Sequence, residues 1–228
     1  MMRRILWLVP ALCLWPARLV QAGEITFDFD TGTPILVPGQ VLPLDQTSVG
    51  ITAHFSSVPG FGGYSIQDQN TTGFVLSQFS GSYVYPNSLT PGALDILFSG
   101  ALSSVSFTFA TNDTHQVEAT TNILMNAYMD STAGPLLGSA TAHGTYGADS
   151  MPMGTLSFTS GVPFNFVEIM IAPGQPFGTP DMLLDNIAVT AAAVPSAPEP
   201  GTYILAGAAL LSLVLLRRDA RSRADAES

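Results

Sequence analysis

Short runs of alternating apolar and polar residues recur through the interior of the chain, and this period of two limits the fold more than any other feature. "ITFDFD" (25–30), "VSFTFAT" (105–111), "TLSFTS" (155–160) and "FNFVEIMI" (164–171) alternate cleanly. "VGITAHFSS" (49–57), "GYSIQD" (63–68), "LDILFS" (94–99), "NILMNAYM" (122–129), "GSATAHGTY" (138–146) and "LLDNIAVT" (183–190) follow the pattern less strictly. Alternation rich in β-branched and aromatic residues puts one set of side chains on a core and the other in water, as a half-buried strand requires. Gly- and Pro-rich turns such as "VPGFGG", "YPNSLTPG", "DSTAGP" and "APGQPFGTP" separate the runs. No internal repeat supports a propeller. The expectation is an all-β domain over residues 23–190, an antiparallel β-sandwich of jelly-roll type.

Charge then restricts what such a domain can do. The seven basic residues are all arginines and all lie near the ends: Arg3, Arg4, Arg18, Arg217, Arg218, Arg221 and Arg223. Of the seventeen acids, Glu199, Asp219, Asp225 and Glu227 lie near the C-terminus, which leaves thirteen between Gly23 and Ala197. With no cation among them, phosphate recognition is excluded, and with it nucleic acid as a partner. A Schiff-base lysine and an arginine clamp are likewise absent. The carboxylates must be solvated, hydrogen-bonded or on a metal ion.

Both ends read as addresses. Arg3 and Arg4, then "ILWLVPALCLW" (5–15), then "VQA" (20–22) give a charged, an apolar and a small-x-small segment. That is a secretory signal peptide over 1–22, cut between Ala22 and Gly23, and it implies the Sec translocon and signal peptidase as partners. The single cysteine, Cys13, lies inside it, so the exported domain folds without disulfides. At the other end, "AAAVPSAPEP" (191–200) is a Pro/Ala linker. An apolar segment and arginines follow within 201–218, read as a short transmembrane helix with an arginine stop, and 219–228 as a polar cytoplasmic tail. The apolar run from Tyr203 to Leu216 would be about 21 Å long as a helix, short for a hydrocarbon layer of about 30 Å.

Pro198-Glu199-Pro200, the short apolar run and Arg217-Arg218 together resemble the PEP-CTERM sorting signal of exported proteins from Gram-negative-type bacteria. The resemblance implies an exosortase that reads the tail and removes it near the Pro-Glu-Pro. It also explains a helix that only marginally spans, since such a helix has only to display the motif. The expected location is the inner membrane transiently, then the cell surface or extracellular matrix. "LDNIAVT" and "AYMDSTAGPLLGSATA" (127–142) are more loosely similar to strand pairs of carbohydrate-binding-like sandwiches, without transferring any sugar-binding residue.

Four sets of side chains are candidates for chemistry. Asp28 and Asp30 share a face of the first strand, and Asp185 lies in the last; together they would offer oxygens to a structural calcium, the one cofactor the sequence suggests. Phe61, Tyr64, Tyr83 and Tyr85 lie in Gly-rich surroundings suited to stacking on sugar rings. Glu118 and Glu168 are the interior glutamates a glycosidase would need, with nothing to place them together. His54, His115 and His143 have no ligand spacing, and no G-x-S-x-G elbow is present, so no catalytic residue is assigned. The leading expectation is a non-enzymatic exported surface or matrix protein that associates with extracellular polysaccharide. A carbohydrate-binding module with specific sugar affinity is the alternative, and a carboxylate-pair hydrolase the third.

Overall fold

A computed structural model describes residues 23–57, 63–87, 92–111, 121–174, 182–193, 205, 207–213 and 217. The chain divides into two compact units, Met1–Ala193 and Val194–Ser228. The signal peptide, Phe61, the Pro-Glu-Pro motif, Arg218 and the polar tail all lie outside the described residues. In the second unit residues 207–213 are helical. No described helix is long and apolar enough to cross a membrane.

The first unit is mostly antiparallel β-sheet. Its strands are β1 (Glu24–Phe27), β2 (Leu44–Ser48), β3 (Ile51–Ser57), β4 (Tyr64–Asp68), β5 (Ser82–Pro86), β6 (Leu94–Thr111), β7 (Asn122–Tyr128), β8 (Leu136–His143), β9 (Met153–Ile171) and β10 (Met182–Ala191), with a one-turn helix α1 (Gln69–Thr72). The pairing runs β4-β5-β10-β6-β9-β7-β8, with β1 on β10 and β2-β3 on β6.

The two long strands make this one sheet into two layers. β6 and β9 each join two of the alternating runs read separately in the sequence. Their register shifts between Leu97 and Leu102 and again before Ser104. Ahead of the shift, β6 pairs with β3 and with the end of β9. Beyond it, β6 pairs with β10 and the start of β9. Bulges of this kind let a strand leave one sheet and enter the next, which gives a sandwich with corners.

The core lies between the layers. Phe27, Phe29, Phe55, Phe98, Phe107, Phe109 and Phe164 are all fully buried there. Rings from opposite layers meet edge-on, Phe29 against Phe55 at 5.4 Å and Phe27 tilted against Phe98 at 5.9 Å. Each such ring contributes about 1.5–3 kcal/mol by leaving water. A second, smaller cluster of Leu76, Phe79, Tyr83, Ala110, Met151, Met153 and Leu183 packs beside the first.

Candidate functional site

The outward face of β3, β6, β9, β7 and β8 carries a row of polar side chains joined by hydrogen bonds. Strand alternation sends Ile96, Val167, Ile169, Met125 and Ala127 inward to the core. The residues between them face out, and the register lines them up. One rung across the five strands is Ser56, Asp95, Glu168, Asn126 and Ser139. The adjoining rung is His54, Leu97, Phe166, Tyr128 and Leu136. A hydrogen-bonded acid–amide row thus lies beside an aromatic–aliphatic row.

The acid row is fixed from one side. Ser139 Oγ donates to Asn126 Oδ1 at 2.7 Å, which turns the amide so that Asn126 Nδ2 donates to Glu168 Oε2 at 3.1 Å. Tyr128 Oη donates to the same Oε2 at 3.4 Å. Asp95 Oδ1, in contrast, is buried with no hydrogen-bond partner. Burial, helped by the charge of Glu168 across the strand pair, pushes the Asp95 carboxyl up to about 6. Burial and the Glu168 charge also raise the Tyr128 hydroxyl. Two like charges directly opposite on antiparallel strands are destabilising, so their presence marks a functional-site candidate.

The adjoining row supplies an apolar surface. Tyr128 packs edge-on to Phe166 with ring centroids 6.1 Å apart. Phe166 is almost covered, while Leu97 is 37% and Leu136 is 54% exposed. His54 Nδ1 meets Asp45 Oδ1 at 2.5 Å at the edge of this face. On the opposite layer, a depression of about 160 Å³ is lined by Ser104, Ser106, Ser157, Thr159 and Thr190. That is small against the roughly 300–1,000 Å³ usual for ligand sites.

Asp28, Asp30 and Asp185 do come near one another, where the end of β1 meets a bulge in β10. Each is turned onto backbone donors. Thr31 N and Thr31 Oγ1 both donate to Asp28 Oδ1 at 2.8 Å. Ser82 N donates to Asp30 Oδ1 at 3.0 Å. Ser80 N donates to Asp185 Oδ2 at 2.9 Å, and Asn186 N to Asp185 Oδ1 at 2.7 Å. Gly81, at φ +59°, packs against the Asp30 carboxyl in a left-handed conformation that favours glycine. Asp185 is fully buried, and burial raises its carboxyl to about 7 against the lowering effect of the Ser80 and Asn186 N–H groups, with Asp30 and Asp28 adding further upward pushes. Among the described residues no group of three or more His, Cys, Asp or Glu is arranged to hold a metal ion. The trio is arranged as a clamp between β1, the 80–82 segment and β10.

The tyrosine platform needs correction. Tyr64 and Tyr83 are fully buried. Tyr64 Oη donates to Gly92 O at 2.8 Å, and Tyr83 Oη shares a 2.6 Å hydrogen bond with Thr72 Oγ1. Phe79 packs edge-on to Tyr83 at 5.4 Å, so the residues around the turn that looked open in the sequence close over it. Neither tyrosine is open to a sugar ring. Tyr85 is partly buried and stacked on Phe74 at 6.4 Å. Glu118 and His115 lie outside the described residues; His143 is exposed on β8. Asp95, Asn126 and Tyr128 were not singled out in the sequence. Alternation alone puts each outward, and only the strand register shows that they meet Glu168.

Residues 196–218 match the PEP-CTERM protein-sorting motif. The chain therefore carries the signal of an exosortase substrate, which implies processing by an exosortase and export to the cell surface. No curated protein matches the sequence. Similar solved structures include a family 6 carbohydrate-binding module, 14% identical, covering 60% of this chain and 93% of that one, with a TM-score of 0.31. The Agl-KA catalytic domain is 13% identical, covering 79% of this chain and 30% of that one, at a TM-score of 0.37. A DUF4465 family protein from Bacteroides caccae is 11% identical, covering 75% and 94%, at 0.36. Likeness at this level assigns neither ligand nor activity.

Proposed function

We propose that this is a non-enzymatic exported protein that holds extracellular polysaccharide on the outer face of β3, β6, β9, β7 and β8. Sec and signal peptidase release the N-terminus, and an exosortase removes the tail at the membrane. The observation that carries the reading is the paired rows. Asp95, Glu168 and Asn126 offer hydrogen-bonding groups, and Tyr128 with Leu97 offers an apolar flank, side by side on one rigid sheet. A sugar ring has the complementary halves, hydroxyls at its rim and C–H groups on its faces. The jelly-roll description also belongs to this reading; the antiparallel pairing of first strand β1 with last strand β10 supports it.

The test is binding of the full-length chain to polysaccharide from its host's envelope. Tyr128→Ala should weaken retention about tenfold, the loss of one stacking contact near 1.4 kcal/mol. Retention unchanged by that substitution would remove the face from the account. A carboxylate-pair hydrolase is the second reading, favoured by Asp95 and Glu168 on one rung. There Asp95, its carboxyl raised to about 6, would be the proton donor and Glu168 the second carboxyl of the pair. Release of reducing ends, lost in Glu168→Gln, would establish it.

A further inference from the structure

Among the described residues the sheet ends on the edge strands β1, β2, β4 and β8, and they are protected unequally. Backbone outside the strands covers two of them. Thr33 and Thr47 of β2 exchange both backbone hydrogen bonds, at 2.9 and 2.8 Å. On β4, Leu42 N donates to Tyr64 O at 3.0 Å, and Ile66 N donates to Gln40 O at 2.8 Å. β1 is only four residues long. Each of these three strands also carries an acid, Glu24, Asp45 and Asp68 respectively. Short length, charge and cover are the means by which edges are kept from pairing with other chains. β8 has none of them. It runs for eight residues without a proline, a carboxylate, a lysine or an arginine. Among the described residues it pairs with β7 alone. Its side chains also leave the core unfinished. Ala140 and Ala142 stand opposite the fully buried Met125 and Ile123, and both stay partly exposed, as does Leu137. A strand added to β8 would take up its open N–H and C=O groups and cover this rim.

We infer that β8 pairs with β8 of a second copy of this chain, antiparallel about a two-fold axis, so that the outward faces of two domains join into one continuous sheet. Charge selects the occupant. A domain with thirteen acids and no internal cation repels its own copies over most of its surface, yet residues 131–148 contain no acid. A cationic partner would be drawn to the acid-bearing surfaces and not to this one. In the paired arrangement Glu168, two strands in from β8, lies five inter-strand steps from its counterpart. At ~4.8 Å per step that is at least about 24 Å, well beyond a Debye length of about 8 Å. A two-fold axis uses the open edge of both copies, so assembly closes at the dimer. The inference does not rest on the polysaccharide reading.

The experiment uses the full-length chain in density-matched detergent micelles. Sedimentation equilibrium over a wide range of concentration measures association, and hydrogen exchange at the two ends of that range reads the β8 amides. The native chain should dimerise, with alternate β8 amides exchanging more slowly at high concentration, which tests the edge without any substitution. Thr141 is exposed on β8, and Thr26 is exposed on β1. Thr141→Glu and Thr141→Lys each bring like charges together across the two-fold axis, and each should raise the dissociation constant at least ~10-fold. A general charge effect would instead send the two variants in opposite directions. Thr26→Glu and Thr26→Lys should leave the dimer intact, and all four variants should melt near the native temperature. A native chain that stays monomeric overturns the inference. So does a dimer that survives both Thr141 substitutions or leaves β8 exchange unchanged, because another surface then holds it. Equal protection of β8 at every concentration would mean that the chain covers its own edge, and overturns it as well. Retention on polysaccharide is measured separately, and its loss would leave this result standing.

Discussion

Asp95 on β6 and Glu168 on β9 are cross-strand partners on the outward face of the sheet, two acids side by side in a domain that contains no lysine or arginine. A fold selected for stability alone would not keep that pair. Its cost and its use are separable by mutation.

Asp95→Asn should stabilise the domain while weakening its binding. The folded carboxyl lies above its ordinary value of 3.8, at about 6, so its favourable contribution is fully present below pH 3.8 and is lost as pH rises through about 6. Above that, the charged form opposes folding by something on the order of 1 kcal/mol after allowance for solvent screening. Thermal melts above neutral pH should show the variant melting a few degrees higher than the native chain. A lower melting temperature would mean that Asp95 has a stabilising partner.

The same sign holds more strongly at Asp185. Its carboxyl is raised to about 7, so stability should fall steadily from pH 4 to pH 8. Asp185→Ala should destabilise by about 2–4 kcal/mol near pH 4, because Ser80 N and Asn186 N lose their acceptors in a partly buried setting, and by less as pH rises toward 8, where the native chain carries the cost of its own buried charge. Denaturant melts across that range test both statements. A flat profile for the native chain would contradict the first, and a neutral substitution the second.

Melts in calcium and in chelator should coincide. Asp28, Asp30 and Asp185 are each committed to backbone N–H groups, and the described residues contain no metal-holding group. A calcium-dependent rise in melting temperature would instead support the structural calcium expected from the sequence.

Two tyrosines should behave in opposite ways. Tyr83→Ala removes a fully buried ring and a hydroxyl bonded to Thr72, and should cost about 3–5 kcal/mol of stability with no specific effect on glycan affinity. Tyr128→Ala removes a ring at the surface and should cost far less stability, with the loss falling on binding. Paired melts and binding isotherms on the two variants separate a core residue from a ligand residue.

The strand content was readable in the sequence because alternation is a local signal. "FNFVEIMI" and "NILMNAYM" became parts of β9 and β7. Joining was not readable. That 94–99 and 105–111 form one strand depends on a bulge whose position follows from cross-strand register. β2 and β5 were missed: "LDQTS" is mostly polar, and "SYVYP" ends in a proline beside a turn. The tyrosines misled for a related reason. Glycines around Tyr83 suggest an open loop, whereas Leu76 and Phe79 fold back over it. Asp28, Asp30 and Asp185 lie near one another, but Asp28 and Asp30 follow the end of β1 rather than sharing a face of it; Asp28 bonds locally to Thr31, and the bonds of Asp30 and Asp185 to Ser82 N and Ser80 N depend on a segment far away in sequence. Asp95 was passed over because an outward acid on a strand is ordinary until its neighbour is known.

The account depends most on the tail being an address that is read and then removed. The direct measurement is the intact mass of the protein recovered from the envelope of its native host, for the native sequence and for Glu199→Ala. Membrane insertion depends on the apolar residues and the flanking arginines, so a simple anchor should not respond to that substitution. A carboxylate held between Pro198 and Pro200 is a preorganised recognition element, and a processing enzyme should respond to its loss. The account predicts a native mass lacking the segment after the Pro-Glu-Pro, and a variant that keeps its tail and accumulates in the inner membrane. Two proteins of the same tail-bearing mass in the same membrane fraction would contradict it.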